Sequence, residues 1–127
     1  MRAFLVVTGV FEVVIGIGLA AMSDTAAELL AAATAFADPA AILLARIGGL
    51  ALIAIGIACL VAQRAEGGEA LCGLLAGLLF YNVTAALLLA YGAIALATPG
   101  LMLWPAAITH AVLAVWNGWL LAGTLRR

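Results

Sequence analysis

Glu12 sits in the middle of a run otherwise suited to lipid, Phe4-Leu5-Val6-Val7-Thr8-Gly9-Val10-Phe11-Glu12-Val13-Val14-Ile15-Gly16-Ile17-Gly18-Leu19-Ala20. A carboxyl at such depth costs at least about 2.5–3.5 kcal/mol, so it must face protein or water, hold its proton, or meet a partner. Four other residues are equally foreign to hydrocarbon: Arg46, Asn82, His110 and Asn117, with Thr8, Tyr81, Thr84 and Thr109 as helpers. A helical rise of 1.5 Å per residue gives their depth from the outer ends of their spans. Arg46 falls roughly 9 Å in, His110 about 14 Å, Glu12 about 15 Å and Asn82 roughly 20 Å. Four separate helices thus contribute to one band, with Asn117 deeper along the face of His110.

The economical arrangement has the Arg46 guanidinium reach across the roughly 6 Å difference in level to Glu12. That pair would keep the carboxylate ionised and tie the first span to the second. Asn82 and His110 would complete a hydrogen-bonded cluster, because buried polar groups need partners. Two readings stay open. The cluster is either a self-satisfied polar core that sets helix register, or a pocket for a proton, a substrate or a lipophilic ligand. Arg46 also has the alternative of snorkelling to the outer interface.

Other chemistries find no support. His110 is the only histidine, so one chain offers no bis-histidine haem. Zinc needs several ligands, and Cys59 and Cys72 lie far from His110 in depth. The two cysteines share a level near the inner ends of adjacent helices and read as free thiols in a reducing compartment. No Ser-His-Asp order, phosphate loop or dinucleotide fingerprint is present, and no activated nucleophile supports an enzyme acting on a lipid or quinone. The expectation is a non-enzymatic protein with no catalytic residue, metal or cofactor.

The elements that must position these groups are membrane spans. Of the 127 residues, 69% are hydrophobic and 9% charged, against about 25% charged in soluble domains. Mean hydropathy is +1.33. Lysine is absent and net charge is −1, so nothing suggests nucleic acid as a partner. Four stretches, about 3–22, 40–62, 70–96 and 101–125, each match the roughly 20 residues that a 30 Å hydrocarbon layer requires. Pro39, Pro99 and Pro105 fall only near their ends. Helices satisfy every backbone group internally, and the alternation of a β-barrel is missing.

Arg2 followed by an apolar stretch and the small residues at 19–23 also has the outline of a signal peptide, which Glu12 interrupts. Under a four-span topology Arg2, Arg64, Arg126 and Arg127 share one side. The 23–38 and 97–100 connections on the other side have no Arg or Lys. The positive-inside rule then places both termini in the cytoplasm. Trp104 and Tyr91 suit an outer aromatic belt, and Trp116 and Trp119 an inner one.

Thr25-Ala26-Ala27-Glu28 has the spacing of a capping box, and the alanine-rich continuation favours helix until Pro39 breaks it. A short interfacial helix is expected over about 25–37, with a loop as the alternative. Arg64-Ala65-Glu66-Gly67-Gly68-Glu69 closes a hairpin of the second and third spans, and Thr98-Pro99-Gly100 joins the third to the fourth. Short connections make neighbours antiparallel. Small residues recur at close-packing spacing: Gly16 and Ala20 in line with Thr8 and Glu12, Ala45 with Gly49, Gly73 with Gly77, and Ala114 with Gly118 and Ala122. Packing within the bundle and self-association both fit them.

Phe11-Glu12-Val13-Val14-Ile15-Gly16-Ile17-Gly18-Leu19, the capped external segment, and the run Ala45-Arg46-Ile47-Gly48-Gly49-Leu50-Ala51-Leu52-Ile53-Ala54-Ile55-Gly56 resemble the DoxX-like group of small four-span bacterial membrane proteins. The resemblance covers mainly residues 4–62. It implies a four-helix fold and an accessory role beside membrane redox enzymes, and it carries over no catalytic residue. Glu12-Val13-Val14-Ile15-Gly16 is also similar to the first helix of small multidrug-resistance exporters, where one carboxylate serves protons and cationic drugs. The third span lacks their Trp-containing, glycine-patterned segment, and Arg46, His110 and the long external segment have no place in that scheme.

The expected fold is an all-α integral membrane protein of the bacterial cytoplasmic membrane. Its single domain, 1–127, forms an antiparallel four-helix transmembrane bundle with a short extra interfacial helix between spans 1 and 2. The expected role is accessory subunit of a membrane complex or binder of a lipophilic molecule of lipid or quinone type. The expected partners are membrane lipids and a larger complex or further copies of the chain. The alternative is a proton-coupled small-molecule transporter using Glu12.

Overall fold

The computed structural model describes residues 1–31, 39–65, 67–95 and 100–126, the side chains of Ala27 and Ala31 apart. Five helices account for most of them: α1 (Arg2–Ala21), α2 (Ser23–Ala31), α3 (Pro39–Ala62), α4 (Glu69–Ala95) and α5 (Leu103–Leu125). All but α2 are long and apolar enough to cross a membrane. Leu44, Val61, Phe80, Leu88 and Val115 are each more than two-thirds exposed on their outer faces. In water such a surface would drive association; in lipid it is the ordinary exterior.

Residues brought together across the helices define how they run. Gly9 lies against Gly56 and Leu60, and Gly16 against Gly49 and Ile53, so α3 descends as α1 rises. A Cβ at Gly16 would stand 2.6 Å from the Gly49 carbonyl oxygen, and one at Gly56 2.7 Å from that of Gly9. These glycines let two backbones touch, the kind of close approach by which dispersion can hold helices together in a lipid surround. The same opposition holds between α4 and α5, where Asn82 meets His110 and Leu75 meets Asn117. The tight pairs are therefore α1 with α3 and α4 with α5. The expected hairpin of the second and third spans is not one of them.

The literal glycine motif, Gly73 to Gly77, faces open space and takes no part in this packing. Gly118 only touches Leu79. Phe4 and Leu5 of α1, Cys59 of α3, Leu71, Leu75 and Leu78 of α4 and Leu113 of α5 form the apolar core, where all four long helices meet. Trp116 turns inward onto this core, edge-on to Phe4 at 5.3 Å between ring centres, instead of joining an aromatic belt. Trp104, Trp119 and Tyr91 are exposed.

Helix α2 begins at Ser23, two residues before the expected Thr25. Met22 alone (φ −127°, ψ 49°) breaks the continuity with α1, its N–H donating to the Gly18 carbonyl. The Ser23 hydroxyl donates to the Leu19 carbonyl across that bend. A helix end leaves carbonyls without partners, and here the Gly100 and Met102 N–H groups donate to those of Leu30 and Leu29. Gly100 approaches that helix end so closely that a Cβ would run into the Leu29 and Leu30 carbonyls. Thus α2 is clamped over the start of α5. Residues 32–37 of the expected 25–37 helix, together with 38, and 96–99 before α5, lie outside the described residues. The α3–α4 turn uses Gly67 (φ 135°) and Gly68 (φ 103°), a backbone region that costs a residue with a Cβ.

A polar seam between two helix pairs

Glu12 projects from the middle of α1 and is fully buried. The Tyr81 hydroxyl of α4 donates to Glu12 Oε2 at 3.2 Å. Glu12 Oε1 has no partner among the described residues. One turn earlier on the same face of α1, the fully buried Thr8 hydroxyl has none either.

His110 of α5 stands beside this acid–phenol pair. Its Nδ1 lies 2.9 Å from Asn82 Oδ1. Asn82 Nδ2 donates to the Leu78 carbonyl, so the facing Oδ1 is an acceptor and Nδ1 must carry the hydrogen. In the neutral ring that leaves Nε2 as an acceptor. Phe11 and Tyr81 bring ring edges against the imidazole, with centres 5.8 and 5.4 Å away, the T-shaped geometry aromatic quadrupoles favour.

Asn117, two turns below His110, is fully buried. Its Nδ2 donates to the Leu75 carbonyl at 2.9 Å and its Oδ1 has no partner among the described residues. Thr84 and Thr109 turn their hydroxyls back onto carbonyls of their own helices, Phe80 and Tyr81 for the first and Pro105 for the second. Neither joins the cluster.

Of the five residues the sequence singles out, Glu12, Asn82, His110 and Asn117 face inward and Arg46 does not. Arg46 is exposed, and among the described residues no carboxylate lies within ion-pair distance of it. Glu12 is instead met by Tyr81, which the sequence marks only as a helper. In the register set by Gly16 against Gly49 and Gly9 against Gly56, Glu12 lies near the level of Ile53, so Arg46, seven residues earlier on α3, stands about 10 Å away along the helix. Both cysteines are free, Cys59 buried and Cys72 partly so.

The site therefore lies in the seam between the α1–α3 and α4–α5 pairs. Within each pair the contact is close; across the seam, Tyr81 donates a hydrogen bond to Glu12. Chemically it offers a carboxyl with a free oxygen, a phenol, an imidazole nitrogen and a hydroxyl, in a shell of Phe11 and aliphatic side chains. Such a set can share a proton or orient a polar head group.

Compared with known proteins, the chain matches no family model, no curated protein and no solved structure.

Proposed function

We propose that the chain is a small non-enzymatic integral membrane protein, an antiparallel four-helix transmembrane bundle. Its polar seam holds the head of a lipophilic molecule of lipid or quinone type. The DoxX-like resemblance supports placing it as an accessory subunit in a larger complex of the bacterial cytoplasmic membrane. The distribution of Arg2, Arg64 and Arg126 supports cytoplasmic termini.

One observation carries the ligand reading: among the described residues, Glu12 Oε1 is buried without a partner and no cation lies within ion-pair distance of the carboxyl. A self-satisfied structural core would not leave its most costly group half-bonded. Binding sites of this kind are mainly apolar with a few convergent polar groups, which is the composition of the seam. The test is purification from native membranes in mild detergent, followed by lipid extraction and identification of co-purifying proteins. Wild type should retain a lipophilic molecule that Glu12→Gln and Tyr81→Phe both lose while remaining folded. Equal lipid content in all three would refute the reading.

The same uncompensated carboxyl favours a second reading, proton-coupled transport with Glu12 as carrier and His110 as relay. In proteoliposomes it requires proton-linked flux that Glu12→Gln abolishes.

A further inference from the structure

Where α4 begins and α5 ends, the two helices no longer fill the space between them. In the middle of the pair the contacts are direct: Asn82 meets His110, and Asn117 meets the Leu75 carbonyl. Extending that antiparallel register places Cys72 level with Leu120, Glu69 level with Gly123, and Arg126 just under one turn further out. There a Cβ on Gly67, Gly68 or Gly123 would meet nothing within 4 Å. The space forms a cavity of about 1020 Å³, at the top of the roughly 300–1,000 Å³ usual for ligand pockets.

Its walls differ in kind. Trp119, Leu120, Ala122 and Leu125 make one side apolar. The rim carries a charge of each sign, Glu69 from the first turn of α4 and Arg126 from the C-cap of α5. Each stands at the helix end whose dipole favours it, the carboxylate at an N-terminus and the guanidinium at a C-terminus. They do not neutralise each other. Among the described residues neither has an ion-pair partner, and the Gly67–Gly68 turn beside them adds no side chain to the cavity.

That combination selects the occupant. A simple anion or cation would answer one rim charge and be repelled by the other. A neutral lipophile would leave both unanswered. A zwitterionic head answers both. Its phosphate suits Arg126, whose planar fork pairs with phosphate oxygens through two N–H donors. Its ammonium suits Glu69, and a primary ammonium can donate hydrogen bonds to the carboxylate where a quaternary one has none to give. Trp119 lies seven residues, about 10 Å, along α5 from Arg126, on the apolar wall where acyl chains would follow, and tryptophan favours the boundary between head groups and chains.

We propose that this cavity seats one phospholipid with a phosphoethanolamine head, its phosphate on Arg126, its ammonium on Glu69 and its chains against Trp119, Leu120 and Leu125. The proposal rests on the transmembrane reading above and is separate from the polar seam. Leu120 is ten residues, about 15 Å, along α5 from His110.

Native mass spectrometry of the full chain in mild detergent, titrated with phosphatidylethanolamine, phosphatidylcholine or phosphatidylglycerol of identical acyl chains, tests it. Wild type should retain one phosphatidylethanolamine about tenfold or more tightly than either other lipid, the gain expected of a hydrogen bond to a charged group. Glu69→Gln should remove that preference, and Arg126→Gln should weaken retention of all three lipids. Both positions are exposed, so the two variants should unfold as wild type does. Equal retention of the three lipids by wild type, tighter retention of phosphatidylglycerol, or an unchanged preference in Glu69→Gln would overturn the proposal. Displacement by equimolar water-soluble phosphoethanolamine would overturn it too, because the apolar wall would then contribute nothing. Glu12→Gln and Tyr81→Phe, which empty the seam, should leave the phosphatidylethanolamine in place. A wild-type chain that stays monodisperse without detergent would refute the transmembrane reading itself, a distinct result.

Discussion

Replacing Gly49 by alanine adds one methyl group where α1 and α3 are closest. The new Cβ would lie 2.6 Å from both the Ala20 nitrogen and the Gly16 carbonyl oxygen, and 3.0 Å from the Ala20 Cβ. Ordinary contact begins near 3.4 Å, about 0.8 Å further out. Two of the three obstacles are backbone, so no side chain can swing aside and the helices must part. A gap of 0.5–1 Å forfeits a quarter to a half of each dispersion well along the opened contact. Overpacking of this kind costs about 1–3 kcal/mol, while alanine returns up to about 1 kcal/mol of helix propensity. The net expectation is a loss of about 1–2 kcal/mol, a factor of roughly 5–30 in the folding equilibrium. Gly77→Ala meets nothing within 4 Å and should be neutral or gain up to about 1 kcal/mol. Reversible unfolding in mixed micelles, followed by tryptophan fluorescence, reads both variants. If Gly49→Ala matches wild type, or Gly77→Ala is the more damaging, the assignment of the glycine seam is wrong.

Tyr81→Phe removes the protein donor to Glu12 and should cost about 1–3 kcal/mol; a double-mutant cycle with Glu12→Gln should show coupling, and additivity would place the phenol elsewhere. Arg46→Ala should change stability by less than about 0.5 kcal/mol, as for a surface position, in the same unfolding assay. Asn82→Leu strands His110 Nδ1 and should destabilise by about 1–3 kcal/mol, much of it recovered when His110→Phe is added. Gly100→Ala should free the end of α2, seen as faster hydrogen exchange at the Gly100 and Met102 amides with the four long helices unchanged.

How much of this was legible in the sequence differs from feature to feature. The four long helices were, because span length and hydropathy are local properties: expected limits of 40–62 and 101–125 compare with Pro39–Ala62 and Leu103–Leu125. The inward turn of Glu12, Asn82, His110 and Asn117 was also legible, since leaving them to acyl chains costs more than burying them together. Arg46 escaped the same logic because a long, flexible cation near a helix end can reach the interface. The start of α2 was missed because continuation from α1 across Met22 competes with the cap signal at Thr25.

By itself, then, the sequence determined that the chain has four apolar helices and a set of polar groups that lipid would reject. Tertiary structure alone decided which of those groups meet. Helices apolar on every side carry no stripe to announce their inner face, and each residue turns the azimuth by about 100°. Rotation and neighbourhood are settled only when Gly9, Gly16, Gly49 and Gly56 bring two backbones into contact. The register of that contact sets Arg46 about two turns away from Glu12, and Tyr81, from the other helix pair, meets the carboxyl instead.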